Sequence, residues 1–374
     1  MATNPRIRRV MMALALLLLL TGCRTPGEAP VPTPTASSTP RPFTVMSTDQ
    51  IRVTDPAAIT DAASTVLALN VFQRLMTADP GSSVLKPDAA RDCLFTSATI
   101  YTCTLNDDLA FDNGHPLTSS DVKFSIERAA RLKVPGSSAA ALSSFRKIQT
   151  PDTKTVRFVL SRPDTQFGWA LASPAASIVD EEVYDADRVQ DPTDPIVGSG
   201  PFLVTKYTGS QLQLSRYDAY VGRNPARLPS LVYRSVADSP TIEDAMSRGA
   251  VDVVWRGLDT AAVTRFSQQV RQNPDRQTLN GFTETVLGGA RVLQLEWSPD
   301  SRMRSDKDLR QAIAVALQGD RTSDSLVPTG VEGHTAAFPL GGKAKPKVTW
   351  KSRINLTLGY DSTMPNGQDL AAQI

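Results

Sequence analysis

The cysteine at position 23 stands where an apolar segment ends and a proline-rich segment starts. Arg6, Arg8 and Arg9 precede an apolar run from Val10 to Leu20. This run is shorter than the roughly 20 apolar residues that a membrane-spanning helix needs, and its length is typical of the apolar part of a signal peptide. A thiol at its end could carry a lipid, and two acyl chains would anchor the protein to a membrane far better than one.

The residues Leu20-Thr21-Gly22-Cys23 resemble a bacterial lipobox. The resemblance implies that residues 1–22 are a lipoprotein signal peptide and that lipidated Cys23 becomes the mature N-terminus. An ordinary signal peptide, or an anchor helix with an incidental cysteine, is the alternative. Residues 23–42 are rich in proline and contain no aromatic residue. Such a segment cannot bury enough apolar surface to fold, so we expect a disordered tether.

The two remaining cysteines, Cys93 and Cys103, stand ten residues apart. A hairpin across Ser97-Ala98 could bring their thiols together, and outside the cytoplasm two free thiols tend to pair. We therefore expect a disulfide, which would stabilise the fold by about 2–3 kcal/mol. A zinc site is the weaker alternative, because no histidine lies near these thiols before His115.

Composition excludes several classes of function. The formal net charge is +2, without the basic excess of a nucleic-acid-binding protein. The sequence has no G-x-S-x-G, H-E-x-x-H or P-loop motif, and its only histidines are His115 and His334. We therefore predict no catalytic residue, no metal site, no cofactor and no enzyme activity. An extracytoplasmic hydrolase is a weaker alternative, to which no particular residue can be assigned.

Strand and helix patterns alternate along the chain, which predicts mixed α/β domains. About 330 residues follow the tether, enough for two or more domains. Thr118 resembles a helix N-cap with Asp121 as its capping-box partner, and Gly249 suits the residue after a helix end. The predicted strands include Phe43–Met46, Ile100–Leu105, Thr155–Leu160, Val292–Trp297 and Arg353–Tyr360. The predicted helices include Asp61–Met76 and Asp308–Leu317, besides those that start after Thr118 and end before Gly249.

Two groups of polar residues could suggest chemistry but are better explained by structure. Asp112 and His115 flank the turn signal Asn113-Gly114, which accounts for both without a catalytic or metal role. Asp252 lies between a predicted helix end and a predicted strand. We expect it to form a structural hydrogen bond rather than a ligand contact.

Four stretches of the sequence carry a family resemblance. The most specific is YTCTLNDDLAFDNGHPLTSSDVKFSIERA, Tyr101 to Ala129. The others are NVFQRLMTADP with LKPDAA, GSGPFLVTKY with a later NP, and AMSRGAVDVVW with LQLEWSPDSRMRSDKDLRQAIAVAL. Together they resemble the extracytoplasmic solute-binding proteins of peptide-type ABC importers (family 5, which binds peptides, nickel and haem), whose strand, turn and helix the first stretch matches almost residue by residue.

The resemblance implies an α/β fold of the type II periplasmic-binding-protein kind, a clamshell whose two lobes close on a ligand by hinge motion. Residues 43–77 and 195–285 would form a discontinuous lobe I, and residues 78–194 an inserted subdomain. Residues 286–374 would form lobe II. In the family this lobe continues well beyond the corresponding point, so we expect a C-terminally truncated lobe II. A shortened but functional variant is the alternative.

Ligand contacts are expected where aromatic and polar residues follow predicted strands. Trp255 could project beyond the carboxyl end of a strand, although a core tryptophan is the alternative. Glu296 and Trp297 follow a later predicted strand. The remaining candidates are Ser199 and Gly200, at a lobe crossing, and Asn70, Phe72 and Gln73, in the first family-like stretch. Gln73 and Glu296 stand where many family members have Glu and Asn.

The resemblance implies a monomeric, lipid-anchored receptor on the outer face of the cytoplasmic membrane. It would bind oligopeptides or similar small solutes and deliver them to an ABC permease. A truncated or decayed surface lipoprotein without a transport function, or a protein that binds another partner, is the alternative. The sequence does not identify the ligand or the permease.

Overall fold

The computed structural model describes residues 41–79, 82, 84–285, 292–328, 333–341, 353–360 and 367–374. The predicted signal peptide, the predicted lipidation site Cys23 and nearly all of the predicted tether lie outside these residues. Residues 42–374 group into one compact unit. Within the described part, no helix has the length and apolar character needed to cross a bilayer.

The secondary structure is mixed α/β, as predicted. The strands are β1 Phe43–Ser47, β2 Met76–Ala78, β3 Leu85–Pro87, β4 Ala90–Ser97, β5 Ile100–Leu105, β6 Phe145–Gln149, β7 Thr155–Leu160, β8 Phe202–Thr208, β9 Gln211–Arg216, β10 Ser230–Ser235 and β11 Val253–Val254. The helices are α1 Ala62–Val71, α2 Ser119–Leu132, α3 Phe167–Ala170, α4 Ser239–Ser247, α5 Thr260–Gln272, α6 Lys307–Ala316 and α7 Gly367–Gln373.

A five-stranded sheet has the order β11-β1-β10-β9-β8. β1 lies between β10 and β11 and runs parallel to both, while β9 is antiparallel to β10 and to β8. The first strand of the described chain therefore pairs with strands that are about 190 and 210 residues further along. β1, β8, β10 and β11 all point the same way, so their carboxyl ends lie at one edge.

Helix α1 covers this sheet and is shorter than the sequence predicts. Asp61 caps its start by accepting a hydrogen bond from the Ser64 amide at 2.8 Å. The helix ends at Val71 rather than Met76, because Phe72 takes an extended conformation. Apolar side chains of α1 pack against β8, β9 and β10 in a core that contains Leu67, Val71, Phe202, Leu212, Leu214 and Tyr233.

A second, four-stranded antiparallel sheet has the order β4-β5-β7-β6. Helix α2 packs against it through Val122, Ile126 and Ala129, all buried. The predicted capping box is confirmed: Thr118 and Asp121 exchange side-chain and backbone hydrogen bonds at the start of α2. Caps of this kind stabilise a helix by about 1 kcal/mol.

Cys93 and Cys103 face each other directly in the register of β4 and β5. A disulfide joins them, with Cα atoms 4.1 Å apart. Cys103 is fully buried on the face that packs against α2, because residues alternate in and out along β5. The bridge therefore ties an outer strand of the sheet to its interior.

Two predicted strands are wrong. Val292–Trp297 and Arg353–Tyr360 are irregular in the structure, and most of their side chains are exposed. An apolar, β-branched sequence becomes a strand only when a neighbouring strand completes its hydrogen bonds, which local sequence does not reveal. The predicted helix at Asp308–Leu317 is confirmed as α6, with Asp306 as its N-cap.

Candidate functional site

The carboxyl ends of the parallel strands β1, β10 and β11 meet at one edge of the five-stranded sheet. Ser47 ends β1, Ser235 ends β10, and Trp255 directly follows β11. In open α/β sheets, ligands bind in the crevice beyond these ends. We therefore take this carboxyl edge as the candidate site.

Trp255 is held at the carboxyl edge by its backbone and by an aromatic neighbour. Its amide donates a hydrogen bond to the Met46 carbonyl at 2.9 Å. Its ring meets the Tyr233 ring edge-on, with centroids 6.5 Å apart. The side chain is half-buried, so part of the indole is available to a ligand while the rest packs on the core. Such an aromatic surface suits an organic solute.

Asp49 places a fixed carboxylate beside Trp255. Its amide donates to Ser47 Oγ at 3.0 Å, and its carbonyl accepts a hydrogen bond from the Tyr233 hydroxyl at 2.7 Å. Its Oδ2 accepts a hydrogen bond from Arg256 Nη1 at 2.9 Å. The Asp49 side chain is 16% exposed, whereas that of Arg256 is 35% exposed. The backbone of Asp49 is thus anchored to the protein, and Arg256 is the more solvent-exposed member of the pair.

Tyr233 acts here as a neutral hydrogen-bond donor. Burial raises its pKa to about 12, and the neighbouring Asp49 adds to the rise while the Ser47 hydroxyl opposes it. The phenol is therefore protonated at any physiological pH and keeps donating to the Asp49 carbonyl.

The turn after β11 has an unusual backbone. Arg256 has φ +67°, in the left-handed region that non-glycine residues rarely adopt, and Gly257 follows with φ +95°. A Cβ on Gly257 would lie 2.7 Å from the Thr48 amide nitrogen, so only glycine fits beside the turn that follows β1. Strained residues of this type persist where surrounding structure holds them, and they cluster at ligand-binding sites.

The guanidinium carbon of Arg256 lies 5.5 Å from the centroid of the Trp255 ring. This distance permits a cation–π interaction, which keeps the charged group against the indole. Trp255, Arg256 and Asp49 together give the carboxyl edge an apolar face, a cation and an anion. The arrangement can bind a small solute that carries both apolar and charged groups, but it contains no nucleophile paired with a general base.

The other predicted ligand contacts on this sheet lie at its opposite end. Ser199 and Gly200 precede β8, whose amino end is remote from the carboxyl edge. The Gly200 amide donates to the Val71 carbonyl at 2.8 Å, which places the end of α1 beside them. Asn70, at that helix end, donates its side-chain amide to the Val66 carbonyl. The structure thus brings these residues together but separates them from Trp255.

Three residues of this second group are buried in packing contacts. Phe72 meets the Tyr184 ring edge-on at 6.3 Å, and Gln73 Nε2 donates to the Val221 carbonyl at 3.0 Å. Ser199 is also buried, and its hydroxyl has no hydrogen-bond partner among the described residues. Phe72, Gln73 and Ser199 are each 1% exposed, so a solute cannot reach them in this conformation. Their role in ligand binding stays a prediction.

Glu296 and Trp297 lie in the irregular segment that follows the five-stranded sheet in the chain. Glu296 is exposed and Trp297 is half-buried. Their role as ligand contacts also stays a prediction.

The Asn113-Gly114 turn forms a structural network, as expected for Asp112 and His115. Asn113 Nδ2 and His115 Nδ1 lie 2.7 Å and 2.8 Å from Oδ2 of the buried Asp180. The Asp112 amide donates to the Gly198 carbonyl at 2.8 Å. These contacts fix the turn against two other segments. In the same way, Asp252 accepts a hydrogen bond from the Thr44 amide at 2.7 Å, the structural role predicted for it.

Replacing Asp112 by asparagine should stabilise the protein at pH 7.5 relative to pH 4. Burial raises the pKa of Asp112 to about 6, so the folded state holds a proton that the unfolded state releases above its ordinary pKa near 4. Wild-type stability is therefore lost between about pH 4 and 6, and the neutral amide avoids this loss. Because the side chain is partly exposed, we expect a gain of a few degrees in melting temperature at pH 7.5 and none at pH 4.

The control for this change is Asp300→Asn, at an exposed position. The difference in melting temperature between variant and wild type, measured at both pH values, isolates the substituted group. An Asp112→Asn difference that is the same at pH 4 and pH 7.5 would contradict the prediction.

Sequence reasoning missed Asp49 and Arg256, which carry no motif. Their only signal is position, because each lies two residues beyond a strand that ends at the carboxyl edge. Recognising it requires knowing that β1 and β11 are neighbours, which is a tertiary fact. Within the described chain, no group of three histidine, cysteine or acidic residues could hold a metal ion.

Comparison with known proteins connects this geometry to a family. A family model described as "Bacterial extracellular solute-binding proteins, family 5 Middle" matches residues 85–360. "Probable D,D-dipeptide-binding periplasmic protein DdpA" of Escherichia coli K12 is 26% identical over 344 residues, covering 85% of this chain and 64% of that protein.

Two solved structures have similar folds. OppA of Burkholderia pseudomallei has a TM-score of 0.60 at 18% identity, covering 80% of this chain and 62% of its own. AgaA of A. tumefaciens R10, in complex with agropinic acid, has a TM-score of 0.54 at 25% identity. The match covers 61% of this chain and 46% of the AgaA chain. The type II binding-protein fold is therefore confirmed. The chain spans less than two thirds of the length of each of these three proteins.

Proposed function

The chain belongs to the bacterial extracellular solute-binding proteins of family 5, and from this premise we propose that it is a solute receptor of an ABC importer. Members of this family are transport receptors rather than enzymes. We propose short peptides as the ligand class, because DdpA is described as a probable D,D-dipeptide-binding protein and SapA of Salmonella typhimurium as a peptide transport protein. The structural neighbour bound to agropinic acid makes other small organic acids the second candidate.

The observation that carries the proposal is the composition of the carboxyl edge. Trp255 offers an aromatic face, and Asp49 and Arg256 add one charge of each sign within a single contact network. A short peptide presents complementary groups, namely apolar side chains for Trp255 and a terminal carboxylate that can approach Arg256. Ligand sites commonly combine an apolar wall with a few fixed polar groups in this way.

We further propose that residues 43–77 and 195–285 form lobe I around the five-stranded sheet. In support, β1 from the first segment inserts between β10 and β11 of the second. Residues 78–194 would be the inserted subdomain, and the four-stranded sheet is built entirely within them. Residues 286–374 would belong to lobe II, which closes over the carboxyl edge and contributes Glu296 and Trp297 to the ligand site.

The receptor would be held outside the cell. We propose that Cys23 carries the lipid anchor and that residues 23–42 tether the binding domain near its permease, where tethering raises the local concentration. The periplasmic relatives support an extracytoplasmic location. Mass spectrometry of the mature N-terminus tests the anchor directly.

Replacing Trp255 by alanine should weaken peptide binding at least tenfold. Truncating a central aromatic anchor of a binding site typically costs about 2 kcal/mol or more. Calorimetric titration of the full chain with a panel of di- and tripeptides measures the effect. The matched control is Trp169→Ala, because Trp169 is 37% exposed on helix α3, in the other sheet's layer.

The panel also includes nickel, haem and an opine-type organic acid. Peptide binding that is lost in Trp255→Ala and retained in Trp169→Ala supports the proposal. Absence of binding to every compound in the panel would refute the receptor function. Equal peptide affinities of Trp255→Ala and Trp169→Ala would show that the peptide does not bind at the carboxyl edge.

A further inference from the structure

We propose that Arg256 recognises a carboxylate on the ligand and that Asp49 sets the strength of this preference. The inference rests on the proposed function, since it assigns the ligand chemistry of the same carboxyl edge. It predicts that the receptor selects solutes with a free carboxylate at the end that reaches Arg256. The carboxylate could be a peptide's terminal group or an acidic side chain, and the two sources can be separated by experiment.

The geometry of Arg256 favours an external partner. Its contact with Asp49 uses a single N–H of Nη1, the only hydrogen bond of its guanidinium to the described residues. A guanidinium carries five donors in a planar fork that matches a carboxylate with two parallel hydrogen bonds. With 35% of the side chain exposed, the remaining donors can be reached from the open side of the edge.

The backbone keeps this guanidinium in place. Arg256 has a left-handed φ, and the next residue, Gly257, packs closely against Thr48. Because Trp255 covers one face of the guanidinium, the group is oriented before a ligand arrives. A preorganised side chain loses less conformational freedom on binding, which raises affinity. The charge that Arg256 presents would explain why a non-glycine residue stands at this strained position beyond a strand end.

Asp49 has an opposing effect on the same ligand. Its carboxylate shares Arg256 with the incoming carboxylate and repels it. Asp49 cannot move away easily, because Ser47 and Tyr233 hold its backbone on both sides. Neutralising Asp49 should therefore strengthen binding of a carboxylate, whereas neutralising Arg256 should weaken it. A general loss of structure would weaken binding in both variants, so opposite changes in affinity from these two neighbouring residues would point to their charges.

The test is calorimetric titration of the full chain with three tripeptides. Ala-Ala-Ala with a free carboxyl end and its carboxyl-terminal amide differ only in the terminal carboxylate, and Ala-Ala-Glu amide supplies a carboxylate from a longer third side chain instead. Wild-type protein should bind the free acid about tenfold more tightly than the amide, a difference typical of one charge-assisted contact. Restored affinity for the Glu amide would show that a side-chain carboxylate serves equally well, and an affinity like that of the plain amide would assign recognition to the terminal group.

Three variants complete the test. Arg256→Gln should reduce the tenfold ratio to about one, and Asp49→Asn should increase affinity for the free acid severalfold. Arg256→Gly repeats the loss of charge with a residue that accepts the left-handed φ without strain, so a folding defect cannot explain a shared result. Arg248→Gln is the matched control, because Arg248 is exposed and pairs with Asp244 on helix α4.

The outcomes separate the two proposals. If the wild type binds none of the three peptides, the proposed peptide receptor fails together with this inference. If it binds the acid and the amide equally well, peptide binding stands and the carboxylate inference is refuted. A ratio that survives in both Arg256 variants would also refute it.

Discussion

Replacing Asp55 by asparagine should lower the free energy of unfolding by about 3–5 kcal/mol. Asp55 and Arg128 form an ion pair in which both side chains are almost completely excluded from solvent. Arg128 donates to both carboxylate oxygens of Asp55, at 3.0 and 2.5 Å. The substitution leaves the arginine charge buried without its counter-ion, which is the costly part of the change. Urea unfolding at pH 7 measures the loss.

The size of this effect follows from what the pair joins. Asp55 belongs to the segment after β1, and its carboxylate also accepts hydrogen bonds from the amides of Ala57 and Gln190. Arg128, on α2, donates to the carbonyls of Asp185 and Arg188 at 2.6 Å. The pair therefore connects the five-stranded sheet to the helix of the other sheet and to a long irregular segment. Its loss should loosen all three.

The control is Asp244→Asn, which breaks the exposed pair between Asp244 and Arg248 at the end of helix α4. Exposed pairs of this kind are worth about 0.5 kcal/mol. A loss for Asp55→Asn no larger than that for Asp244→Asn would show that the ion pair has no such structural role.

Local sequence was sufficient to predict several elements of the fold. The capping box of Thr118 and Asp121 was predictable because both partners lie within one turn. The strand Thr155–Leu160 was predictable because its buried and exposed positions alternate. Asp55 and Arg128 were not recognised, because 73 residues separate them and neither stands in a motif.

The candidate site was only partly predictable for the same reason. Trp255 was predicted from its position beyond a strand, and the structure places it at the carboxyl edge. Its partners Asp49 and Arg256 are 207 residues apart, and only the pairing of β1 with β11 brings them together. Phe72 and Gln73 were predicted on likeness alone. A sequence at a helix end cannot distinguish a side chain that packs inward from one that meets a ligand.

Replacing Gly198 by alanine should destabilise the protein by about 3 kcal/mol, the upper end of the range for overpacked positions. A Cβ at this position would lie 2.0 Å from the Val71 carbonyl oxygen, and that backbone cannot yield as a flexible side chain can. The same carbonyl accepts the Gly200 amide at 2.8 Å, so the clash would break the contact that holds the end of α1. The Gly198 carbonyl also accepts the Asp112 amide, which links the change to the Asn113-Gly114 turn.

The matched control is Gly209→Ala, in the turn between β8 and β9, where an added Cβ would meet nothing within 4 Å. We expect its stability to stay within about 0.5 kcal/mol of the wild type, as for most exposed substitutions. Urea unfolding measures the free energy of unfolding of both variants. Each variant adds one methyl group, at a glycine that precedes β8 in one case and follows it in the other. Equal stabilities would mean that the backbone at Gly198 can shift away from α1, and the tight contact would then not determine where this helix ends.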